Sequence, residues 1–291
     1  STGVDVIDIG VGPTDFASFH AMEEDAVGIQ VTSSHMPLEF NGLKFLYPDG
    51  NGFLNRDLDK LKEFFRKGDF PEGEGEIVEK EGGRETYMTG LEEFVEKNGE
   101  FFDRKVVVDT LGGSTNENLP EVFERLGFEV VDIGKEREEI YRNPPNPIPE
   151  QLSELSNVVE EEDAYMGVAS DLDGDRVQIY FKGEWVSGDE LFCVFAQLFD
   201  GKVVASVDTS DTLEKFSNVK YTRVGDPFVI DRTLKENAAL SGEPNGHFCF
   251  PDFVNYNSGT LAGALAASTD FEAALNQIPE NFQEKTSIEY E

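Results

Sequence analysis

Basic residues are scarce: 24 Lys and Arg stand against 59 Asp and Glu, with three His, for a formal charge of -35. A field of that sign repels nucleic acid and anionic membrane surfaces, which excludes polyanions as partners. Cysteine is nearly absent as well. Cys193 and Cys249 lie in the apolar stretches LFCVF and HFCF, which reads as two buried free thiols in a reducing compartment rather than a disulfide framework. Long hydrophobic runs are missing too. No window approaches the roughly 20 apolar residues of a membrane span, and the N-terminus has no basic region followed by an apolar one. The expectation is a cytoplasmic protein with no nucleic-acid and no membrane partner.

What is present fits a folded chain. Its 291 residues suffice for two or three domains, and an apolar share of 38% with 11% aromatic gives each a core. The acidic residues are spread along the whole chain rather than gathered in a tail, which reads as adaptation to a very salty cytoplasm.

Short Val- and Ile-rich runs alternate with helical stretches. Val4 to Ile9 and Ala26 to Thr32 read as parallel strands covered on both faces, followed by a helix around Leu58 to Arg66. Pro71 to Arg84, rich in Gly and Glu, reads as a solvated linker. A βαβ unit follows, with strands at Lys105 to Asp109 and Phe128 to Ile133 around a helix near Pro120 to Leu126. After an extended Asn143 to Pro149 and a helix come the strands Met166 to Ala169 and Val177 to Phe181. A third unit opens near Trp185, with helices at Asp189 to Phe199 and Val229 to Asn237 and strands at Val203 to Val207 and Tyr221 to Val224. The fold class is therefore α/β: three consecutive α/β domains with mixed, mainly parallel sheets.

The loop Ser170-Asp171-Leu172-Asp173-Gly174-Asp175-Arg176 sets three carboxylates at alternate positions between two strands, a spacing that lets them converge on a hard cation, Mg²⁺ or Ca²⁺. An EF-hand would need Gly at its sixth position and a carboxylate at its twelfth, where Arg176 and Lys182 stand. A solvated acidic turn is the plain alternative in so acidic a chain. A carboxylate site for Mg²⁺ leaves coordination room for a phosphate oxygen, so a phosphorylated group is expected nearby. Val31-Thr32-Ser33-Ser34-His35-Met36-Pro37, a polar loop after an apolar strand, offers a serine beside a histidine. Taken alone such a pair is more often a turn or capping element.

Ser34-His35 with Pro37, Asn41-Gly42-Leu43-Lys44, Asp171 to Arg176 and Gly242-Glu243-Pro244-Asn245-Gly246-His247 together resemble, in order and spacing, the α-D-phosphohexomutases; Val107 to Asp109 with Gly112, Asn146-Pro147 and Val224-Gly225-Asp226 extend the resemblance over nearly the whole chain. The resemblance implies a Mg²⁺-dependent mutase that exchanges hexose 1-phosphate and hexose 6-phosphate through a hexose bisphosphate. It implies that Ser34 carries the phosphoryl group and completes the metal site of Asp171, Asp173 and Asp175, and that Lys44 is an acid/base group. Glu243 and Asn245 would bind the sugar with Arg176 beside the metal loop, and His247, with His35 next to the serine, would assist proton transfer. Domains are expected at 1–80 (phosphoserine), 81–182 (metal) and 183–291 (sugar recognition). Against the family pattern, the first domain is expected to be incomplete with an unpaired sheet edge, and a fourth, phosphate-clamping domain is not expected within the chain; a homo-oligomer or a completing chain would cover the edge. Ser258-Gly259-Thr260 reads as a helix start rather than a phosphate clamp. Met36 stands where the family usually has Asn, and Asn245 where it has Ser. A binding or assembly protein, or a phosphosugar phosphatase, are the other functions considered.

The charge has a measurable consequence. Between about 0.1 and 1 M salt the screening length falls from about 10 to 3 Å, so refolding yield and melting temperature should both rise over that range. A melting temperature that stays flat would overturn the salt-adaptation reading.

Overall fold

The computed structural model describes residues 3–36, 39–100, 102–134 and 146–280. In the first segment β1 (Val6–Asp8) pairs in parallel with β4 (Ile77–Glu79), and β2 (Gly28–Thr32) pairs antiparallel with β3 (Gly42–Leu46). Of the expectation of parallel strands covered on both faces, only the parallel pairing of β1 holds. Every residue of β1 and β4 is exposed, and Ile29, Val31 and Leu43 are exposed on the β2–β3 ribbon, because neither pair gains a third strand among the described residues. The helix read near Leu58 is α2 (Asn55–Lys67), and it contributes no buried residue.

The supposed linker at 71–84 contains β4 and ends at α3 (Gly83–Asn98), since backbone pairing with β1 satisfies its amides despite few apolar side chains. Up to residue 100, two helices escaped the sequence reading. In α3, Tyr87, Met88, Leu91, Phe94 and Val95 form one buried face; α1 (Thr14–Glu24) buries Thr14, Asp15, Phe16, Ala17 and Ser18 in succession and so shows no clear stripe.

The second unit is a five-stranded sheet in the order β6 (Glu129–Asp132), β5 (Lys105–Asp109), β7 (Met166–Ser170), β8 (Val177–Phe181), β9 (Glu184–Val186). Its core pairings β5–β6 and β5–β7 are parallel, and the crossover from β5 to β6 runs through α4 (Asn118–Arg125). Trp185 stands on β9 and belongs to this sheet, not to the third unit, because β8 and β9 pair across a tight turn at Lys182 and Gly183. α5 (Ser153–Glu161) covers one face. Of the expected extended stretch, residues 143–145 lie outside the described residues, and Pro149–Gln151 forms a short 3₁₀ turn.

The third unit is a four-stranded sheet, β11 (Asn218–Thr222), β10 (Lys202–Ser206), β12 (Leu240–Glu243), β13 (His247–Cys249), with α6 (Gly188–Ala196) and α7 (Asp226–Glu236) packed on it. Cys193 and Cys249 are buried free thiols. α8 (Gly259–Ala267), capped by Ser258 on Leu261 N–H as expected of a helix start, is buried at all its positions. It packs across units: Gly263 lies against Val168 of β7, so close that a Cβ there would stand 2.6 Å from the valine side chain. α9 (Phe271–Asn276) closes this core with Phe271 edge-on to Phe181.

Asp15, fully buried at the start of α1, accepts from Tyr87 Oη of α3 at 2.6 Å. Burial outweighs that bond and pushes its carboxyl up to about 6 from 3.8. Because the folded state then binds the proton more tightly than the unfolded chain, the group costs stability as pH rises through that window, about 3 kcal/mol in full above it. Asp15→Asn should therefore gain on the wild type in denaturant melts between about pH 4 and pH 7 and level off beyond. An offset constant with pH would refute this.

Candidate active site

Three carboxylates within five residues can be buried together only if the chain brings donors to them. The loop 171–176 leaves β7, and Asp171, Asp173 and Asp175 are all buried, with ligand oxygens within 4.8 Å of one another. Backbone from three directions holds the loop. Ser114 N–H donates to Leu172 O at 2.7 Å, Thr14 N–H at the start of α1 donates to Asp173 O at 2.8 Å, and Gly259 N–H at the start of α8 donates to Gly174 O at 2.8 Å. Two helix N-termini thus abut the acidic loop, where their positive ends are favourable. The approach is tight: a Cβ on Gly259 would stand 2.3 Å from Arg176 O, and one on Gly174, whose φ is +71°, 2.4 Å from Thr115 Cγ2.

Side-chain donors come from the first segment. Lys44 on β3 donates to Asp173 Oδ2 at 2.7 Å and to Asp175 Oδ2 at 2.6 Å. Burial opposes the lysine's charge, but Asp175 and Asp173 outweigh it and hold its pKa well above the ordinary value. Thr32 and Thr14 hydroxyls also donate to Asp173 Oδ2, at 3.0 and 3.3 Å. Asp171 Oδ2 and Asp173 Oδ1 are buried with no hydrogen-bond partner. Those two oxygens, with Asp175, suit a hard divalent cation, which resolves the Mg²⁺ or Ca²⁺ question only to that class. Burial and the neighbouring Asp175 and Asp173 push Asp171 well above its ordinary value, whereas Lys44 and His247 overcome burial to hold Asp175 well below.

The third unit supplies the opposite wall. Val177 N–H donates to Gly246 O at 3.1 Å, and His247 Nε2 lies 3.2 Å from Asp175 Oδ1. On its other side His247 Nδ1 lies 3.6 Å from Asp226 Oδ1 and 3.5 Å from Glu243 Oε2. Burial disfavours the imidazolium, but Asp226 and Asp175 outweigh it and raise its pKa well above 6.5. Nε2 then carries a proton for Asp175, and Arg176 Nε, 3.2 Å away, is a packing neighbour rather than a donor. Arg176 N–H donates to Asp171 Oδ1 at 3.1 Å. Glu243 Oε1 accepts from Gly225 N–H at 2.8 Å and leaves Oε2 without a hydrogen bond, in ion-pair range of His247; the exposed Asn245 accepts from His247 N–H at 3.3 Å.

Ser34 has φ +50°, an uncommon region for a residue with a side chain, and its Oγ is 3.2 Å from His35 Nδ1. Burial foremost and then Arg176 lower the His35 pKa, so its ring is neutral near pH 7. The structure thus gathers Lys44, the three aspartates, Arg176, Glu243 and His247, with Ser34 and His35 joined to them through Thr32. Sequence reasoning missed Thr14, Thr32 and Asp226. Thr32 and Asp226 stood inside quoted motifs and could have been weighed, whereas nothing local marks Thr14.

The arrangement defines a class: a three-unit α/β protein whose units meet at a buried acidic cluster that could hold a cation. Family models for phosphoglucomutase/phosphomannomutase match it in order, α/β/α domain I at residues 1–72, domain II at 85–184 and domain III at 187–280. The chain is 32% identical to a phosphoglucomutase/phosphomannomutase of Thermococcus kodakarensis, over 98% of this chain and 68% of the relative. It is 30% identical to a probable phosphoglucosamine mutase of Methanothermobacter thermautotrophicus, over 95% and 64%. A crystal structure of a Burkholderia thailandensis phosphoglucomutase/phosphomannomutase family protein superposes with a TM-score of 0.85 at 26% identity, over 96% of this chain and 66% of that one. The chain belongs to the phosphoglucomutase/phosphomannomutase family of α-D-phosphohexomutases. It spans about two thirds of the length of these curated relatives.

Removing Lys44 leaves buried carboxylates uncompensated. Lys44→Met should cost about 3–5 kcal/mol of stability in chelator, and millimolar Mg²⁺ should restore more of it than it adds to the wild type. Denaturant melts with and without Mg²⁺ decide this, and equal Mg²⁺ responses would count against the shared site.

Proposed function

We propose that this chain carries the phosphoserine, metal and sugar-recognition parts of a Mg²⁺-dependent phosphohexomutase that interconverts hexose 1-phosphate and hexose 6-phosphate. The observation that supports it best is the convergence of two distant segments on one loop: Lys44 from β3 and His247 on β13 both reach the aspartates after β7. Asp171, Asp173 and Asp175 would hold Mg²⁺, which when bound supplies charge neutralisation at the phosphoryl group together with a phosphoserine oxygen of Ser34.

The protein's own groups do the remaining work. The bond from Ser34 Oγ to phosphorus breaks while a sugar hydroxyl oxygen bonds to phosphorus, and one proton passes net from that hydroxyl to Ser34 Oγ. His35, neutral and 3.2 Å from Oγ, is placed to hand that proton over. His247 and Lys44, both cationic, face the phosphoryl oxygens and the acid loop. Glu243 Oε2, buried and accepting no hydrogen bond, is the acceptor for a sugar hydroxyl, with Asn245 at the rim. The bisphosphorylated sugar then turns and returns its other phosphate to Ser34. Hexose phosphate and hexose bisphosphate are the small-molecule partners. Among the described residues no helix is long and apolar enough to cross a membrane. The acidic charge suits work in a salty cytoplasm.

Incubating the protein and Ser34→Ala with a hexose 1,6-bisphosphate and Mg²⁺ in high salt, then weighing both intact, should show one added phosphate on the wild type and none on the variant. Isomerised hexose phosphate among the products supports the mutase. Free phosphate alone would replace it with a phosphatase, and no phosphate on either protein would leave a binding or assembly role.

A further inference from the structure

We propose that Thr32 is a positioning residue that couples the Ser34 loop to the cation loop; this rests on the roles given above to Ser34 and the aspartates. Its hydroxyl does two things at once. Its oxygen accepts from Ser34 N–H at 2.7 Å, and its proton goes to Asp173 Oδ2 at 3.0 Å.

Each end of this link has other restraints too, a turn bond from Met36 N–H to Ser33 O at 3.0 Å around Ser34 and the Thr14 and Lys44 donors on Asp173, but none of them reaches the other loop. Thr32 is the last residue of β2, fixed by its register with Gly42, but two residues later the chain enters the left-handed region at Ser34, which a side-chain-bearing residue holds only when its surroundings compel it. The bond from Ser34 N–H to the threonine oxygen supplies part of that compulsion, beside the turn bond from Met36 N–H to Ser33 O. At the other end, the two oxygens of Asp173 have divided environments. Oδ2 collects Thr14, Thr32 and Lys44, and Oδ1 is buried with no partner. Donors on Oδ2 therefore set the carboxylate's rotation and leave Oδ1 for a cation. Lys44 and Thr14 donate to Asp173 without contacting Ser34, so among the described hydrogen bonds Thr32 alone joins the two loops. Fixing the carboxylate fixes the threonine hydroxyl, and with it the Ser34 turn.

Hydrogen exchange at the Ser34 amide, read with and without saturating Mg²⁺, tests the coupling without depending on phosphoryl transfer. In the wild type and in Thr32→Ser, Mg²⁺ should slow exchange. In Thr32→Val, a same-shape change, exchange should be about tenfold faster and lose its Mg²⁺ response; Thr32→Ala serves as a second hydroxyl-free variant should valine perturb the strand. Serine phosphorylation by hexose 1,6-bisphosphate should slow by about the same factor in both hydroxyl-free variants, with KM little changed, and recover in Thr32→Ser. A Mg²⁺-responsive Ser34 amide in Thr32→Val or Thr32→Ala overturns the proposal. If the exchange pattern holds but the wild type takes up no phosphate, the coupling stands and the phosphoserine reading falls.

Discussion

The cost of burying three carboxylates in one short loop governs the rest of the molecule. Isolated, each would lose several kcal/mol of hydration, and their mutual repulsion would add to it. The chain answers by spending its few cations and polar hydrogens there. Lys44 crosses from the first segment, His247 from the third, and two helices begin with their amide groups against the loop. In a protein with 24 basic residues for 59 acidic ones, two cations committed to one buried loop are a large concentration of resources. The way the three units meet follows from this: each sends a donor to the same few oxygens.

Compensation leaves a deliberate remainder. Asp171 Oδ2 and Asp173 Oδ1 accept no hydrogen bond, and Glu243 Oε2 and His247 Nδ1 across the site, 3.5 Å apart as an ion pair, likewise make none. Buried polar atoms are normally satisfied, so a group of orphans facing one region marks where ligands complete the network. The two sets divide by chemistry. Carboxylate oxygens on the loop suit a cation, and the Glu243 and His247 pair suits hydroxyl and phosphate oxygens.

Much of this was legible in the sequence because the site is built from contiguous motifs. Asp171 to Arg176 announces itself by residue type and spacing, and Lys44 and Glu243 to His247 through the resemblance to the family; β5, β7 and β10 read correctly because buried Val-rich runs are unambiguous, whereas the strand expected at Tyr221 to Val224 is Asn218–Thr222. The first segment was misread for the opposite reason. Its strands carry similar apolar runs, but burial depends on which layers cover them, and that is not a local property. α1 escaped because a helix buried nearly all round its first turns has no polar face to betray its period. Thr14 was invisible since only the meeting of α1 with the loop gives it a task, whereas Asp226 needed the packing of Gly225 against Glu243 to be brought beside His247.

The placement of α8 bears on how the chain can acquire its shape during synthesis. Residues 259–267 lie past nearly all of the third unit, yet their small side chains fill the interior next to β7 and α4, and their first amide pins the cation loop. A ribosome emitting the chain from its N-terminus releases the second sheet long before the wedge that completes it. Until then Val168 and Leu119, both beside Gly263, present apolar surface to water, and the aspartate loop lacks its last anchor. The second unit is thus assembled early and finished late, and the aspartate loop reaches its final shape with the third unit rather than with the aspartates themselves.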